Sequence, residues 1–394
     1  MVRAWNRVAD TIADWPDIRL TVPCYTNNVV LPRETFCELF HEDVQRYLAC
    51  LAVDDLFDPR APTRPLRPLS IKTREQQLYR FASALCRAGR DPADLVSLAS
   101  LIEHDNFKTG LRYLIDRNGG QTSSSIADLA WCLRTVAVHH VGLDGPDLVR
   151  LQDICRRLRR NREGPSPRNR DRLGPFEDIK NLARLVCLPP RLVEQGFKGP
   201  KIGRREALLI QKALAIEIAL VAPMRIANIA GLNLERHLRW SEAGRKGELR
   251  ISIPGDEVKN GQALTFAIPE KTAAMIRIYC EQCRPLLSRT PNPWLFPGPD
   301  SARPKRADTL GKQISALIWQ ELGLRVHPHL LRHIAAYIVL RESPEAYGQV
   351  SRILAHKNVN PAYRHYSGLE TGAAHRLYLE KVLRLCAPDG ELGT

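Results

Sequence analysis

The sequence predicts a mainly α-helical chain of two domains joined by a basic linker, with a small antiparallel β-sheet in the second domain. Three observations favour this fold class. Apolar residues recur at helical spacing along most of the 394 residues, one stretch alternates like paired strands around a turn signal, and one stretch is too rich in arginine and proline to fold. A chain of this length is expected to form two or three domains with cores of their own.

The first half is predicted to be helical. Residues 1–65 form an extension of mixed character, in which "CELFHEDVQRYLACLA" has helical periodicity, and the proline-rich break "DPRAPTRPLRP" follows it. Residues 66–158 are predicted to form a small helical domain. Two of its helices are located by their apolar faces, the first formed by Leu78, Phe81, Ala82 and Leu85, the second by Ile126, Leu129, Ala130, Leu133 and Val136. Ser125 and Asp128 indicate where the second helix begins.

Residues 159–175 are predicted to be an exposed linker, because the like charges in "RRLRRNREGPSPRNRDRLGP" repel one another and its prolines interrupt helix and sheet. Such a segment is either a solubilising tether or a strap across a nucleic-acid backbone, and its many arginines favour the strap. The arginines predicted to contact nucleic acid are Arg156, Arg157, Arg159, Arg160, Arg168, Arg170 and Arg172.

Residues 176–386 are predicted to form a mixed domain, with 387–394 as a tail. "ALLIQKALAIEIALV" has helical periodicity, whereas "ELRISIPGDEVKNGQALTFAIP" alternates at Leu249, Ile251, Ile253 and again at Leu264, Phe266, Ile268. Asn260-Gly261 between these runs is a hairpin signal, which places Lys259 at the hairpin tip or its shoulder. The last helix, "AAHRLYLEKVLRL", either packs on its own domain or tethers a neighbouring protomer.

The charge balance points to an anionic partner. The net charge of +15 and the pI near 9.6 are typical of proteins that bind a phosphate backbone, although basic proteins also bind anionic membranes. There is no signal-peptide pattern, and the best apolar run, "ALAIEIALVAPM", is short and contains Glu217, so we expect a cytoplasmic protein without membrane contact. The ten cysteines suggest free thiols; the single C-x-x-C, Cys280 and Cys283, is a weak zinc or redox signal and is expected on one helix face.

"VHPHLLRHIAAY" places three histidines and an arginine at the start of a predicted helix. A core-facing stripe is expected from Leu331, Ile334, Ala335 and Ile338, with His329, Arg332 and His333 on the opposite face. Three interpretations remain open for that second face: a solvated polar surface, a metal site formed by His327, His329 and His333, or a clamp for an anion.

Two further stretches contain candidate functional residues. Arg225 lies among apolar neighbours in "LVAPMRIANIAGL", so its half-buried charge needs Glu217, a backbone carbonyl or a bound phosphate as partner. In "RILAHKNVNPAYRHYSGLE", His356 ends a short apolar helix and Tyr366 follows after an Asn-Pro break. A tyrosine in this place is either a packing residue or a nucleophile.

The order of these residues resembles that of the tyrosine recombinase, or phage integrase, family. The match comprises Arg225 in "MRIANIAGL", Lys259 on the hairpin, "HPHLLRH", which is similar to the family's H-x-L-R-H, and "LAHKNVN" followed by Tyr366. The resemblance covers about Pro175 to Cys386, and the helical domain with its basic linker resembles the family's core-DNA-binding domain. Asn228 and Ala355 depart from the family, which often has glutamate and glycine there.

The resemblance implies a two-domain DNA clamp that cuts and rejoins DNA at specific sites, in integration, mobility of an element or resolution. Tyr366 would form a 3′-phosphotyrosyl link, Arg225 and Arg332 would hold the phosphate, His329 would accept the tyrosine proton, and Lys259 would protonate the leaving oxygen. His356 would contact the phosphate or Tyr366. No metal, ATP or other cofactor is implied. The implied partners are double-stranded DNA and further copies of the chain in a tetrameric synapse, and a bacterial protein would associate with the nucleoid.

Two kinds of alternative remain at this point. A type IB topoisomerase or a hairpin-forming resolvase would use the same residues. A non-catalytic DNA-binding protein would retain the fold with an inactive site.

Overall fold

The computed structural model describes residues 29–54, 65–158, 164–241, 248–288, 290–299, 302–356 and 358–369, together with isolated positions outside these ranges. The chain divides into two compact units, residues 1–161 and 162–394. Both units are mainly helical. Among the described residues, none of the helices combines the length and apolar character that crossing a lipid bilayer requires.

The helices of the first unit are α1 (Glu38–Cys50), α2 (Pro68–Arg87), α3 (Leu98–Ile102), α4 (His104–Arg117), α5 (Ser124–Val136) and α6 (Gly145–Leu158). Both apolar faces predicted for α2 and α5 are confirmed, since their residues are buried in one core. The N-cap of α5 is Ser123, whose hydroxyl accepts the backbone N–H of Ile126 at 3.3 Å, two residues before the predicted start signal at Ser125.

The first unit begins earlier in the chain than the predicted boundary at residue 65. Phe40 and Val44 of α1 are fully buried in the same core as Leu78 and Phe81 of α2. The helix predicted in "CELFHEDVQRYLACLA" is therefore part of the helical domain and not of a separate extension. Most of the break "DPRAPTRPLRP" lies outside the described residues, and its last proline, Pro68, starts α2.

The second unit contains helices, a three-stranded sheet and short connecting turns. Its helices are α7 (Pro167–Leu173), α8 (Ile179–Val186), α9 (Leu188–Phe197), α10 (Arg204–Val221), α11 (Ile226–Ala230), α12 (Glu270–Ile278), α13 (Arg284–Leu287), α14 (Ala307–Leu322), α15 (Pro328–Glu342), α16 (Tyr347–Ile353) and α17 (Asn360–Tyr366). The strands β1 (Leu238–Trp240), β2 (Leu249–Ile253) and β3 (Leu264–Ile268) are antiparallel in the order β1-β2-β3.

The predicted strand pair is confirmed, but its connection is longer than a two-residue turn. Ile253 pairs with Leu264, so residues 254–263 join β2 to β3, and they include a short 3-10 helix at Gly255–Glu257. Gly261 has φ +72°, a left-handed conformation that glycine adopts without steric cost. The Asn-Gly signal therefore marks a turn inside the connection and not the whole hairpin loop.

The predicted linker is helical in its second half. Residues 167–173 form α7, because the Ser166 hydroxyl accepts the N–H of Asn169 at 3.3 Å and Pro167 occupies the first turn, where a proline removes no helical hydrogen bond. Leu173 then anchors the helix with only 5% of its side chain exposed. The Ser-Pro pair, interpreted from sequence as a break, is instead a helix start.

The predicted division of α15 into a core face and a cationic face is wrong in part. Ile338, expected in the core, is 36% exposed, whereas Arg332 and His333 are only 4% and 6% exposed. The reason is that α15 is covered on two sides. Leu331 and Ile334 belong to the main core of the second unit, and Ala336 and Leu340 pack in a smaller cluster with α16 and α17.

Candidate active site

Arg332 connects three segments of the second unit. Its guanidinium donates to the backbone carbonyl of Pro223, two residues before Arg225, and to that of Leu354 at 2.9 Å, two residues before His356. Burial lowers the pKa of Arg332 to about 10; the tyrosine at 366 opposes this change and the charge of Arg225 adds to it. The buried charge is therefore fixed in place between the two stretches that contain Arg225 and His356.

Arg225 is the N-cap residue of α11 and is half-buried, as predicted. Glu217, one predicted partner, accepts a hydrogen bond from Thr272 at 2.6 Å instead. Within the described ranges no carboxylate lies at ion-pair distance from Arg225. A half-buried guanidinium of this kind retains donors for an incoming anion, which its planar geometry suits.

Tyr366 is the last residue of α17 and is only 3% exposed. Burial raises the pKa of its phenol, and the positive charges of Arg332 and Arg225 oppose that rise. Both arginines therefore lie close enough to stabilise the phenolate. Neutral Tyr366 packs in the smaller cluster with Leu340 and Leu354, so the same side chain fits the packing role and the nucleophile role that the sequence left open.

Two histidine rings contact the Tyr366 ring. His356 is parallel to it, with 6.2 Å between ring centroids and 5° between ring planes. His333 meets it edge to face at 5.1 Å, and His329 meets His333 in the same manner at 5.5 Å. His329 is exposed, whereas His333 is buried.

His333 is a candidate site residue that was absent from the predicted catalytic set. The sequence feature that could have identified His333 is its position four residues after His329, which places both side chains on one face of α15. The family resemblance implies that His329 receives the tyrosine proton and assigns no role to His333. The geometry instead brings His333 into contact with the Tyr366 ring and places His329 on the solvent side of His333.

Lys259 lies in the β2–β3 connection and its side chain is exposed. The next residue, Asn260, donates from its side-chain amide to the backbone carbonyl of Ala355. Ala355 directly precedes His356 and has φ 48°, a left-handed conformation that is costly for any residue with a Cβ atom. The hairpin that contains Lys259 is thereby attached to the loop that contains His356.

The arginines predicted to contact nucleic acid fall into three groups. Arg156 and Arg157 are exposed at the end of α6, and Arg156 forms an ion pair with Asp153. Arg168 and Arg170 are exposed on α7, where Arg172 is half-buried. Arg159 and Arg160 lie outside the described residues.

A cleft of about 370 Å³ lies beside α7. Its lining includes Arg168, Arg172 and Arg325, and the Arg325 guanidinium lies 5.5 Å from the centre of the Trp319 ring. The positive charge of α7 therefore continues onto Arg325 within the second unit.

The histidines that the sequence suggested as metal ligands are engaged by protein groups. His327 is the N-cap of α15, where its Nδ1 accepts the N–H of Leu330 at 3.1 Å, and its Nε2 lies 3.3 Å from Asn169 Oδ1. Both ring nitrogens of His327 are thus in use. Cys280 and Cys283 lie on a π-helical turn after α12, as the helical prediction required, and Cys283 is buried in the main core.

Comparison with known proteins gives one match to a family model. Residues 201–371 match the model of the phage integrase family. Solved structures to which this chain is similar include the XerH site-specific recombinase bound to palindromic difH substrate in a post-cleavage complex (14% identity, 81% of this chain, 80% of that chain, TM-score 0.48). They also include the Tn1549 transposon integrase with circular intermediate DNA (13% identity, 86% and 99%, TM-score 0.45) and the XerA recombinase (15% identity, 86% and 98%, TM-score 0.33). A comparison with curated proteins found no match.

Proposed function

We propose that this chain is a tyrosine-type site-specific recombinase, because residues 201–371 match the model of the phage integrase family, and that it cuts and rejoins DNA through a 3′-phosphotyrosyl intermediate formed by Tyr366. The observation that carries the proposal is the position of Tyr366, which lies within electrostatic reach of both Arg225 and Arg332. This arrangement suits a phenol that attacks a phosphodiester held by two guanidinium groups.

The two arginines supply the charge that the reaction needs. A phosphodiester resists attack because its non-bridging oxygens are anionic, and fixed positive charge stabilises the additional charge that develops in the transition state. Arg332, held by two backbone carbonyls, is the fixed member of the pair. Arg225, which has no carboxylate partner among the described residues, is the member free to turn towards the phosphate. Loss of either is expected to cost about 3 kcal/mol in the transition state.

The bond changes balance without a cofactor. The Tyr366 oxygen forms a bond to phosphorus as the bond from phosphorus to the 5′ oxygen breaks, and a histidine accepts the tyrosine proton. His329 is the proposed acceptor, as the family resemblance implies, and the His333 ring contacts both the His329 ring and the Tyr366 ring. Lys259, exposed on its hairpin, donates a proton to the 5′ oxygen. The link to tyrosine conserves the energy of the broken bond for rejoining.

Double-stranded DNA is the proposed partner. The net charge of +15, the exposed arginines at the end of α6 and on α7, and the arginine-lined cleft beside α7 support backbone contacts. Exchange between two sites requires four active tyrosines, so we propose a tetrameric synapse of this chain on DNA. We place this activity in the cytoplasm, at the nucleoid if the source is bacterial. The C-terminal helix proposed to tether neighbours lies largely outside the described residues.

The proposal is tested by trapping the covalent intermediate. End-labelled duplexes from the DNA that flanks the coding region are incubated with the protein. The reaction is stopped with SDS, and the products are separated on a gel. Wild-type protein is expected to form a labelled adduct in the presence of a chelator, and Tyr366→Phe is expected to form none. Tyr363→Phe is the matched control, because Tyr363 lies on the same helix, is 52% exposed and stacks on Tyr347 at 4.1 Å.

Three outcomes separate the alternatives. An adduct that persists in Tyr366→Phe would refute the assignment of the nucleophile. An adduct with relaxation of supercoiled plasmid but no exchange between paired sites would indicate a topoisomerase. DNA binding without any adduct would indicate a non-catalytic protein.

A further inference from the structure

Helix α7 has two faces with different surroundings. Arg168 and Arg170 are exposed, whereas Asn169 is half-buried and Leu173, one turn later, is buried. Residues four apart share a helix face, so Asn169 and Leu173 point to the same side. That side packs against α15, which contains Arg332 and the histidines.

The Asn169 side chain joins two of these histidines. Its Oδ1 lies 3.3 Å from His327 Nε2 and its Nδ2 lies 3.4 Å from His333 Nε2. Because His327 Nδ1 accepts the N–H of Leu330, a neutral His327 has its proton on Nε2 and donates it to Asn169 Oδ1. The Asn169 amide then donates to His333 Nε2, which places the proton of a neutral His333 on Nδ1.

The bridge leads to the nucleophile. The ring of His333, oriented by Asn169, meets the Tyr366 ring edge to face at 5.1 Å. The N-terminal end of the same segment approaches Tyr366 from another direction: a Cβ atom on Gly164 would lie 2.4 Å from the carbonyl oxygen of Ser367, the residue after Tyr366. Gly164 also has φ +79°, which favours glycine. Residues 164–173 thus contact both His333 and the backbone next to the nucleophile.

We infer that Asn169 is a positioning residue that sets the orientation of His333 and, through it, of Tyr366, and so couples the arginine-bearing helix α7 to the nucleophile. The inference rests on the proposed function, since it assigns Tyr366 the role of attacking group. DNA that binds Arg168 and Arg170 fixes α7, and the opposite face of α7 then fixes the histidine against which Tyr366 packs.

Asn169→Leu tests this coupling, because leucine has a similar volume and makes neither hydrogen bond. Ser166→Ala is the matched control: it removes the N-cap of the same helix and leaves the Asn169 amide in place. DNA affinity and single-turnover cleavage rate are measured separately. Asn169→Leu is expected to bind DNA with the wild-type Kd and to cleave it about 10- to 100-fold more slowly. A loss of this size is expected when a reacting group is displaced by up to about 1 Å.

The two variants distinguish positioning from helix stability. Ser166→Ala is expected to cleave at close to the wild-type rate, and Gly164→Ala, which displaces Ser367, is expected to cleave slowly. Wild-type cleavage by Asn169→Leu would overturn the inference. Equal losses in Asn169→Leu and Ser166→Ala would do the same, because they would reduce Asn169 to a helix-stabilising residue.

A second readout does not depend on activity. Long-range proton–nitrogen spectra of protein labelled with ¹⁵N-histidine report which ring nitrogen bears the proton. Wild-type protein is expected to show Nε2–H for His327 and Nδ1–H for His333, and Asn169→Leu is expected to mix the tautomers of His333. Unchanged His333 signals would overturn the bridge even in a protein that forms no DNA adduct, and absence of an adduct in wild-type protein would overturn the proposed function alone.

Discussion

Replacing Arg332 by glutamine is expected to slow cleavage about 100- to 1000-fold while changing the stability little. The fall in the pKa of Arg332 to about 10 means that holding this charge in the folded protein costs about 3 kcal/mol. Because the side chain is 4% exposed, solvent screening does not reduce that cost appreciably. Glutamine removes the charge, so the variant does not have this energetic cost.

The loss of hydrogen bonds acts in the opposite direction. Arg332 donates to the carbonyls of Pro223 and Leu354, and a bond from a charged donor is worth about 1.5–3 kcal/mol. Glutamine can restore one of the two at most. The gain and the loss nearly cancel, so the free energy of unfolding should change by less than about 2 kcal/mol. Cleavage has no such compensation and should fall about 100- to 1000-fold, as when one donor to a developing oxyanion is lost.

The two quantities are measured by urea unfolding at pH 7 and by the single-turnover rate of adduct formation. Arg341→Gln is the control, since Arg341 lies near the end of the same helix, outside the group that surrounds Tyr366. A destabilisation of more than about 5 kcal/mol would show that the buried guanidinium mainly supports the fold. Cleavage within tenfold of wild type would refute the assignment of Arg332 to the phosphate.

Three further predictions concern the loops and one buried amine. Ala355→Gly should stabilise the protein by about 0.5–1 kcal/mol, because glycine adopts the φ of 48° without strain. Gly261→Ala, at φ +72° in open space, should destabilise it. Thermal unfolding measures both changes, and shifts of the same sign would contradict the backbone argument. Asn260→Leu, which releases the hairpin from Ala355, should slow cleavage about tenfold at unchanged DNA affinity, and an unchanged rate would contradict it. Burial lowers the pKa of the Lys305 amine to about 8, and the positive charges of Lys212 and Arg204 lower it further. The unfolded chain therefore binds the proton of this amine more tightly than the folded protein does. Relative to Lys305→Met, wild-type protein should therefore gain stability as pH rises from about 8 towards 10.5. The free energies of unfolding of the two proteins are compared by urea unfolding at pH 7.5 and 9.5, and the same difference at both pH values would contradict the prediction.

The sequence predicts those elements whose signal is local. The periodic apolar faces of α2 and α5 and the alternation in β2 and β3 each specify one element without reference to distant residues. The three-residue strand β1 escaped prediction, because three residues contain too little alternation to be recognised. Helix α7 escaped because a Ser-Pro pair fits a helix start as well as a break, and only the burial of Leu173 decides between them.

The candidate site was predictable in its residue types but not in its contacts. The order of Arg225, His329, Arg332, His356 and Tyr366 predicts the chemistry through the family resemblance. The contacts of His333 could not be deduced in the same way, because one of them is with Asn169, which is 164 residues away in the chain. The burial of Arg332 likewise depends on carbonyls 109 and 22 residues away.

Under the proposed function, the burial of Tyr366 predicts that the phenol becomes reactive only when DNA is bound. With 3% of its side chain exposed and its pKa raised by burial, the phenol in the DNA-free protein is packed and neutral. A phosphate that binds Arg225 and Arg332 neutralises part of the charge that now favours the phenolate, so electrostatics alone does not activate Tyr366 once DNA is bound. Activation then requires a proton acceptor that reaches the phenol, for which His329 is proposed, and a displacement of α17 towards the phosphate. His333 and His356 already contact the Tyr366 ring. Asn169 links His333 to helix α7, and Asn260 links the residue before His356 to the β2–β3 hairpin. Because α7 and the hairpin are expected to touch DNA, DNA binding can change the position of the nucleophile through these two contacts.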